Sequence, residues 1–184
     1  MSRAHRTLAE LNAGLVHIED SPKDGGTLRL IVRRPRIGAR DVVAEAELDV
    51  TVGLVGDTWS TRPSWRRNFR APDPDAQVTI MNARATALVA HTDNRWPLVG
   101  DQLYVDLDLS DENLPAGTQL SLGSAVIEVT AAPHTGCRKF SERFGVEATK
   151  FVNSKDGKRL RLRGIKAKVV QSGTIRAGDI ARKR

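Results

Sequence analysis

Apolar and polar residues alternate along several short segments of this chain, which is the pattern of half-buried β-strands. The clearest case is residues 44–50, in which alanine, leucine and valine alternate with three acidic side chains. One apolar face and one charged face are typical of a sheet with one side in water. The same period of two predicts further strands at residues 28–33, 77–81, 103–109, 119–122, 125–129 and 165–169, and two short strands after Gly173.

Helical spacing of apolar residues is confined to short segments. Leucines at helical spacing predict a helix within residues 4–15, and Asn82 is the predicted N-cap of a helix over residues 82–91. Residues 137–161 are predicted to be helical in pieces, broken at Gly145 and at residues 156–157.

Residues 53–76 show neither period and are predicted to form a long polar loop, which in a compact domain is usually functional. Many short strands, few helices and close turns favour a mainly β chain. We therefore expect residues 1–184 to form a single domain, a β-barrel with a few short α-helices at its ends, preceded by a helix and turn in residues 1–24.

Composition places the chain among ordinary globular proteins and narrows its partners. Of 184 residues, 40% are hydrophobic and 28% charged, and the net charge is +7. Residues 151–184 carry 11 Lys and Arg against 2 Asp and Glu, so a polyanion is one partner to consider, although such a run is more often a solvated face. Aromatic residues make up only 4%, which disfavours the stacking platforms of nucleic-acid binders.

The sequence shows neither a membrane-spanning segment nor a signal peptide. No apolar run approaches the roughly 20 residues that span a bilayer, and no apolar segment follows the basic start of the chain. The single cysteine cannot form an internal disulfide. These features predict a cytoplasmic protein that does not contact a membrane.

The single cysteine, Cys137, is the residue most open to a chemical role. It follows Pro133, His134 and Gly136 at a predicted strand-to-helix junction, and Arg138 and Lys139 come directly after it. Thiol reactivity depends on the thiolate fraction, which helix N-termini and neighbouring cations raise. The alternative is that Cys137 is a small buried hydrophobe, as free cysteines commonly are.

Three other groups are candidates for binding. Gly56 and Asp57 end a glycine-bracketed turn, where the backbone can approach a ligand closely, although a plain turn explains them equally well. The arginines of the following loop suit a planar anion or a phosphate, unless the loop is simply solvated. Asn113, after the strand at residues 103–109, is the weakest candidate because it can equally well bridge backbone groups. The loop arginines in question are Arg62, Arg66, Arg67 and Arg70.

A zinc site is not expected. His134 and Cys137 have a spacing that lets both face one metal, but no second Cys/His pair completes a four-ligand site. A single thiolate ligand to a metal carried by a cofactor needs no further protein ligands. A soft thiolate suits a soft or high-valent metal better than magnesium or calcium.

Taken in order, several segments resemble the MOSC domain, named for the C-terminal domain of molybdenum cofactor sulfurases. The resemblance covers about residues 25–182. It is carried by residues 53–57 (Gly-Leu-Val-Gly-Asp), 77–79, 112–114, 122–125, the segment around Cys137, 163–169 and 173–179. Each segment is weak singly, and their order and spacing together are specific.

The resemblance implies a mostly β barrel and places the family cysteine at Cys137. In family members that are enzymes, such as amidoxime-reducing proteins, that cysteine is the protein thiolate on a pterin-bound molybdenum. Other members are proposed to carry or deliver sulfur. The better-known bacterial members have a His-Gly-Gly segment after the Gly-Asp motif, and the stretch from Trp59 to Pro72 contains none. Sulfurases carry a pyridoxal-phosphate domain upstream, for which this chain has no room.

Three functions stay open. The first is a molybdenum-cofactor-binding protein with oxidoreductase-type chemistry and a small-molecule substrate, served by a redox partner. The second is a sulfur carrier that receives a persulfide on Cys137 from a cysteine desulfurase. The third is a non-catalytic module that holds an acidic partner through its basic C-terminal third.

The residues assigned to the site follow from the first function. In it, Cys137 is the metal ligand. The predicted catalytic residues are Cys137, His134 and Lys139, and the predicted cofactor-binding residues are Gly56, Asp57, Arg62, Arg66, Arg67, Asn113 and Arg138.

Overall fold

The computed structural model describes residues 5–64, 68 and 70–184. Within them lie eleven strands and six α-helices, joined by short 3-10 turns. The strands are β1 (Gly26–Arg33), β2 (Asp41–Val43), β3 (Glu45–Asp49), β4 (Gly53–Leu54), β5 (Val78–Asn82), β6 (Leu103–Asp106), β7 (Gln119–Leu122), β8 (Ala125–Val129), β9 (Ile165–Gln171), β10 (Gly173–Arg176) and β11 (Ile180–Lys183). The helices are α1 (Leu8–Ala13), α2 (Leu15–Glu19), α3 (Ala83–Ala90), α4 (Arg138–Phe144), α5 (Val146–Asn153) and α6 (Lys155–Arg159).

Seven strands close into a barrel. Their hydrogen-bonded order is β1, β11, β7, β8, β9, β5 and β6, and β6 pairs back onto β1. All neighbours are antiparallel except β5 and β6, which run parallel and are joined through α3. Strand β11 completes the circle, with Ala181 opposite Gly26. The mainly β barrel expected from the alternation is confirmed.

The barrel interior is an apolar core built from alternate residues of each strand. Ile31, Ile80 and Leu103, on three neighbouring strands, are all almost fully buried there. A second sheet of β10, β3 and β4 adds Leu48 and Leu54 to the same core. Because side chains on a strand alternate between two faces, this inward set leaves an outward set that also needs cover.

The helices supply that cover on one side of the barrel. Met81 and Tyr104 point outward from β5 and β6, and both are fully buried against the helices. Phe140 and Phe144 of α4 pack in this second layer with their rings 5.3 Å apart. The layer therefore fixes α4, and with it the start of the helix at Cys137, against the barrel wall. None of the helices in the described part of the chain is long and apolar enough to cross a membrane.

Two of the predicted helix boundaries, at Asn82 and at Gly145, are confirmed. Asn82 caps α3 by accepting a hydrogen bond from the backbone N–H of Ala85 at 2.9 Å, and Gly145 breaks the helical segment with a φ of +91°. The second predicted break, at residues 156–157, is wrong. Helix α6 runs through both, and the chain turns instead at Ser154, whose Oγ accepts a hydrogen bond from the Gly157 N–H.

Candidate functional site

The described residues enclose a cavity of about 440 Å³ beside Cys137, which we call the thiol cavity. Six stretches of chain build it: the β1–β2 connection, the segment after β4, strand β5, the segments just before β6 and β9, and the chain from His134 into α4. The lining side chains include seven cations, the His134 imidazole and the Cys137 thiol. The cations are Arg34, Arg36, Arg40, Arg62, Lys139, Arg143 and Arg163.

Cys137 is exposed at the edge of this cavity, so it is not the buried filler that was the alternative. The loop that carries it is fixed from α5, because the Gly136 N–H donates to Asn153 Oδ1 at 2.9 Å and Asn153 Nδ2 donates back to the Gly136 carbonyl at 3.3 Å. A Cβ at position 136 would lie 3.0 Å from Val152 Cγ2, which explains the glycine. The thiol is therefore held in place although it is accessible.

Arg34 is held rigidly by the acid that was expected to face the ligand. Asp57 accepts hydrogen bonds from Arg34 Nε at 2.8 Å and Nη2 at 2.9 Å, and Arg34 Nη1 donates to the Gly100 carbonyl. The Asp57 side chain is fully buried, and that of Arg34 is 11% exposed. Bidentate guanidinium–carboxylate pairs of this kind fix both partners. Asp57 thus acts in the cavity through Arg34.

Arg163 forms the second paired cation, deeper in the wall. Its Nη1 donates to Asp101 Oδ2 at 2.5 Å, and its guanidinium lies 5.2 Å from the centre of the Phe140 ring. Asp101 is fully buried, and its other oxygen, Oδ1, lies 3.5 Å from His134 Nδ1. Burial raises the pKa of the Asp101 carboxyl above its ordinary value, and the Arg163 guanidinium opposes that shift.

The remaining cations have no carboxylate partner among the described residues. We call Arg36, Arg40, Arg62, Lys139 and Arg143 the unpaired cations. Burial lowers the pKa of Arg40, and so do the neighbouring Arg143 and Arg34 guanidinium groups. Burial lowers the pKa of Arg62 as well, with Arg34 as the next cause. Like charges held together at partial burial are costly, and a bound anion would relieve that cost.

Eight of the ten predicted site residues lie in the described part of the chain, and they divide into those that line the thiol cavity and those that do not. Four of them, Cys137, His134, Lys139 and Arg62, line the thiol cavity. Asp57 does not line it, but it binds Arg34 and its charge also acts on Arg62. Gly56 lies behind Arg33, whose Cδ would be 3.2 Å from a Cβ at position 56.

Two further predicted site residues lie away from the thiol cavity, and two lie outside the described part of the chain. Arg138 points to solvent and pairs with Glu142, outside the cavity lining. Asn113 donates to the Lys23 and Asp108 carbonyls and accepts from Lys183, and it does not line the thiol cavity. Arg66 and Arg67 lie outside the described residues.

The structure adds site residues that the sequence did not single out. Arg34, Arg36 and Arg40 come from one short segment, residues 33–40, which holds four arginines in eight positions. This density of arginines is visible in the sequence and could have marked the segment as a candidate anion-binding site. Arg163 opens one of the segments that carry the family resemblance, but nothing in the sequence links it to Asp101, because an acid and an arginine 62 positions apart become a pair only when β6 and β9 enter one barrel.

Metal-binding clusters of protein side chains do not occur in the part of the chain that is described: no three His, Cys, Asp or Glu residues are grouped as ligands. A metal at Cys137 would have to bring most of its ligands with it. The donor set in the thiol cavity, one soft sulfur among cations, fits an anionic cofactor better than a bare cation.

A sequence model of the MOSC domain matches residues 47–182, and the chain belongs to the MOSC domain family. The family is associated with binding of the molybdenum cofactor. A search of curated proteins gave no match.

Solved structures share the fold at low sequence identity. The YUAD protein from Bacillus subtilis has 14% identity and a TM-score of 0.64, over 86% of this chain and 97% of that one. YiiM from Escherichia coli has 19% identity and a TM-score of 0.55, over 86% and 69%. YiiM from Geobacillus stearothermophilus has 13% and 0.51, over 89% and 74%. These similarities concern the barrel, and they leave the chemistry to the residues of this chain.

Proposed function

We propose that this chain binds the molybdenum cofactor for oxidoreductase-type chemistry, with Cys137 as the thiolate ligand to the metal. The observation that carries the proposal is the exposed thiol at the edge of a cavity whose described lining has seven cations and no carboxylate. The cofactor is a pterin that bears a phosphate and holds molybdenum through sulfur. Its two chemical ends, an anion and a thiophilic metal, match the two kinds of group in the cavity.

The fit can be checked group by group. Arg40 and Arg62 are unpaired cations whose guanidinium groups suit phosphate oxygens in a bidentate arrangement. The soft Cys137 sulfur suits a high-valent metal. The volume of about 440 Å³ lies in the range of small-molecule and cofactor sites. When bound, the cofactor would supply two-electron redox chemistry at molybdenum.

The chain's own residues would bind and orient rather than react. Arg34 is locked by Asp57, so it contributes a fixed positive charge without reorganising. The unpaired cations, which have no carboxylate to release, would hold the anionic end. Asn153 fixes the Cys137 loop, so that the sulfur meets the metal in one place.

The test is the metal and pterin content of protein made in a cofactor-competent host. We expect molybdenum and pterin in near-equal amounts in the unaltered protein, loss of molybdenum in Cys137→Ser, and loss of both in an Arg40→Gln, Arg62→Gln double variant. Arg29→Gln is the matched control, because Arg29 is exposed on β1 and does not line the thiol cavity. Unaltered protein without molybdenum and pterin would overturn the proposal.

The exposure of Cys137 also supports a second candidate, a sulfur carrier. The Cys137 thiolate would attack the outer sulfur of a desulfurase persulfide, forming Cys137–S–SH and releasing the desulfurase thiolate. Lys139 and Arg138, both exposed, lie at the same surface. Mass spectrometry after incubation with a cysteine desulfurase and cysteine should show one added sulfur that is absent from Cys137→Ser. An unmodified protein would count against this candidate and leave the first intact.

A further inference from the structure

Three buried polar side chains form a cluster in the wall of the thiol cavity. Asp101 precedes β6, His134 lies in the loop after β8, and Arg163 precedes β9. Their side chains are 0%, 13% and 8% exposed. His134 and Arg163 also line a second cavity of about 330 Å³. These two side chains therefore contribute to both cavities, and Asp101, which lines neither, holds them from behind.

Two atoms in this cluster face each other without a completed hydrogen bond. Asp101 Oδ1 and His134 Nδ1 are both buried, lie 3.5 Å apart and make no hydrogen bond of good geometry, and the Thr79 side chain also interacts with the Asp101 carboxyl. The other Asp101 oxygen accepts from Arg163 Nη1, and Arg163 Nη2 donates to the Val99 carbonyl at 3.3 Å. The carboxylate is thus held by the arginine with one oxygen turned to the imidazole.

Burial, together with the cations around it, favours the neutral form of His134. Burial lowers the pKa of His134 well below its ordinary value, and the Arg163, Lys166 and Arg34 cations act in the same direction. A neutral imidazole has one N–H and one acceptor nitrogen. An acceptor lone pair on Nδ1 would be repelled by the Asp101 carboxylate, so the proton belongs on Nδ1 and the lone pair on Nε2.

The position of the ring then decides where that lone pair points. Nδ1 is buried, so the part of the ring that lines the cavities is the other edge, which carries Nε2. The arginine and lysine side chains around it only donate hydrogen bonds. Thr79 Oγ1 donates to Gln102 Oε1 at 3.0 Å and keeps lone pairs of its own. Among the described lining side chains, His134 is therefore the nitrogen group that accepts, and the other nitrogen groups only donate.

We propose that Asp101 and Arg163 are positioning residues that fix His134 as a neutral acceptor, and that its Nε2 selects ligands that carry an N–H or O–H donor beside their anionic group. The cations would bind any anion of suitable size. The acceptor would distinguish anions that bring a proton from those that do not, because a buried acceptor left unpaired costs binding energy. The proposal concerns the cavity assigned above to the cofactor, and it requires no molybdenum.

Phosphate and sulfate are the probes that separate anion binding by the cations from recognition of an O–H donor by His134. At mildly alkaline pH both are dianions of similar size, and only hydrogen phosphate carries an O–H. Calorimetric titration of the unaltered protein, free of cofactor, should give a preference for phosphate of about tenfold or more, which is about 1.4 kcal/mol. Sulfate binding as tight as phosphate would overturn the proposal without any variant.

The variants assign the preference to the cluster. In His134→Phe and in Asp101→Asn, sulfate affinity should stay within about twofold while the phosphate preference falls to about one. Arg40→Gln should weaken both anions equally. Nitrogen NMR of the imidazole should show a proton on Nδ1 of His134 in the unaltered protein and a changed tautomer in Asp101→Asn. A variant that keeps both the preference and the tautomer would show that Asp101 is structural only.

Discussion

Two kinds of arginine surround the same cavity, and they differ in what holds them. Arg34 and Arg163 are almost fully buried, and each is locked to a carboxylate that is itself 0% exposed. None of the unpaired cations forms an ion pair with a carboxylate in the described part of the chain, and two of them, Arg40 and Arg62, have lowered pKa values. The first kind is part of the scaffold. The second kind is a positive surface without compensating carboxylates, and we expect substitutions of the first kind to change stability and substitutions of the second kind to change anion binding.

The sharpest way to break this comparison is to remove a paired arginine. Arg163→Met leaves the Asp101 charge buried and uncompensated, and should lower the free energy of unfolding by about 3–5 kcal/mol. Arg36→Met, in which no buried acid loses a partner, should change it by less than about 0.5 kcal/mol. Urea denaturation of both variants measures the difference. Equal losses would mean that the division into two kinds is mistaken.

Anion binding tests the role of the unpaired cations. Phosphate at about a hundred times its dissociation constant should stabilise the unaltered protein by about 2.7 kcal/mol through mass action. The Arg40→Gln, Arg62→Gln double variant should lose most of this gain and show no fall in stability without phosphate. Thermal melts with and without phosphate report both quantities, and Arg29→Gln should behave as the unaltered protein does. A double variant that unfolds more readily without the anion would place these arginines in the scaffold.

The paired region also predicts a dependence on pH. Because burial depresses the pKa of folded His134, only the unfolded chain takes up that proton below about pH 6.5. The stability is present above that pH and is lost as the pH falls, with a slope that approaches about 1.4 kcal/mol per pH unit. His134→Gln should remove this slope. Exposed His17→Gln is the control and should follow the unaltered protein, as urea midpoints between pH 7 and pH 5 would show.

Asp101 acts with the opposite sign and does not obscure the test. Its raised pKa means that the folded state takes up a proton before the unfolded chain does, so that contribution grows in acid. Since Asp101 is present in both proteins, the difference between the unaltered protein and His134→Gln reports the imidazole together with its coupling to Asp101, 3.5 Å away. A slope that persists in His134→Gln would contradict the assignment.

The smallest expected effect on stability is at the thiol itself. Cys137 is exposed, so Cys137→Ser should change the free energy of unfolding by less than about 0.5 kcal/mol while abolishing labelling by a thiol reagent. Denaturation and mass spectrometry together check this. A loss of stability comparable to that of Arg163→Met would return Cys137 to the class of structural cysteines.

The barrel was predictable because its signal is local. Alternation along residues 44–50 or 165–169 records which side chains face the core, and the β7–β8 hairpin follows from a turn between two such segments. The strands that the sequence missed, β2 and β4, are two or three residues long and carry too few positions to show a period. The helical break was misplaced because Gly157 lies inside a helix, packed against the backbone of Phe151 and Val152.

The site was predictable only in part because its signal is not local. Cys137 and His134 lie in one loop and could be found together. The cations that surround them come from distant segments, and they include Arg34 and Arg163. Each of these two arginines is fixed by a buried aspartate, and nothing in the sequence links the arginine to that partner. Asp57 was predicted as a site residue from its position in the glycine-bracketed turn. In the structure its carboxylate binds Arg34. Pairings of this kind depend on the closed barrel, which no single segment encodes.

Barrel closure has a consequence for how the chain is made. The strand that completes the circle is β11, whose Ala181 lies opposite Gly26 of β1. A ribosome that adds about 5–20 residues per second needs roughly 10–30 s to pass from the first of these residues to the second. Throughout that interval the hydrogen-bonding edge of β1 that β11 will occupy stays open, and open edges invite pairing with other chains. Yield in a cell should therefore respond to translation speed and to chaperones that shield nascent strands.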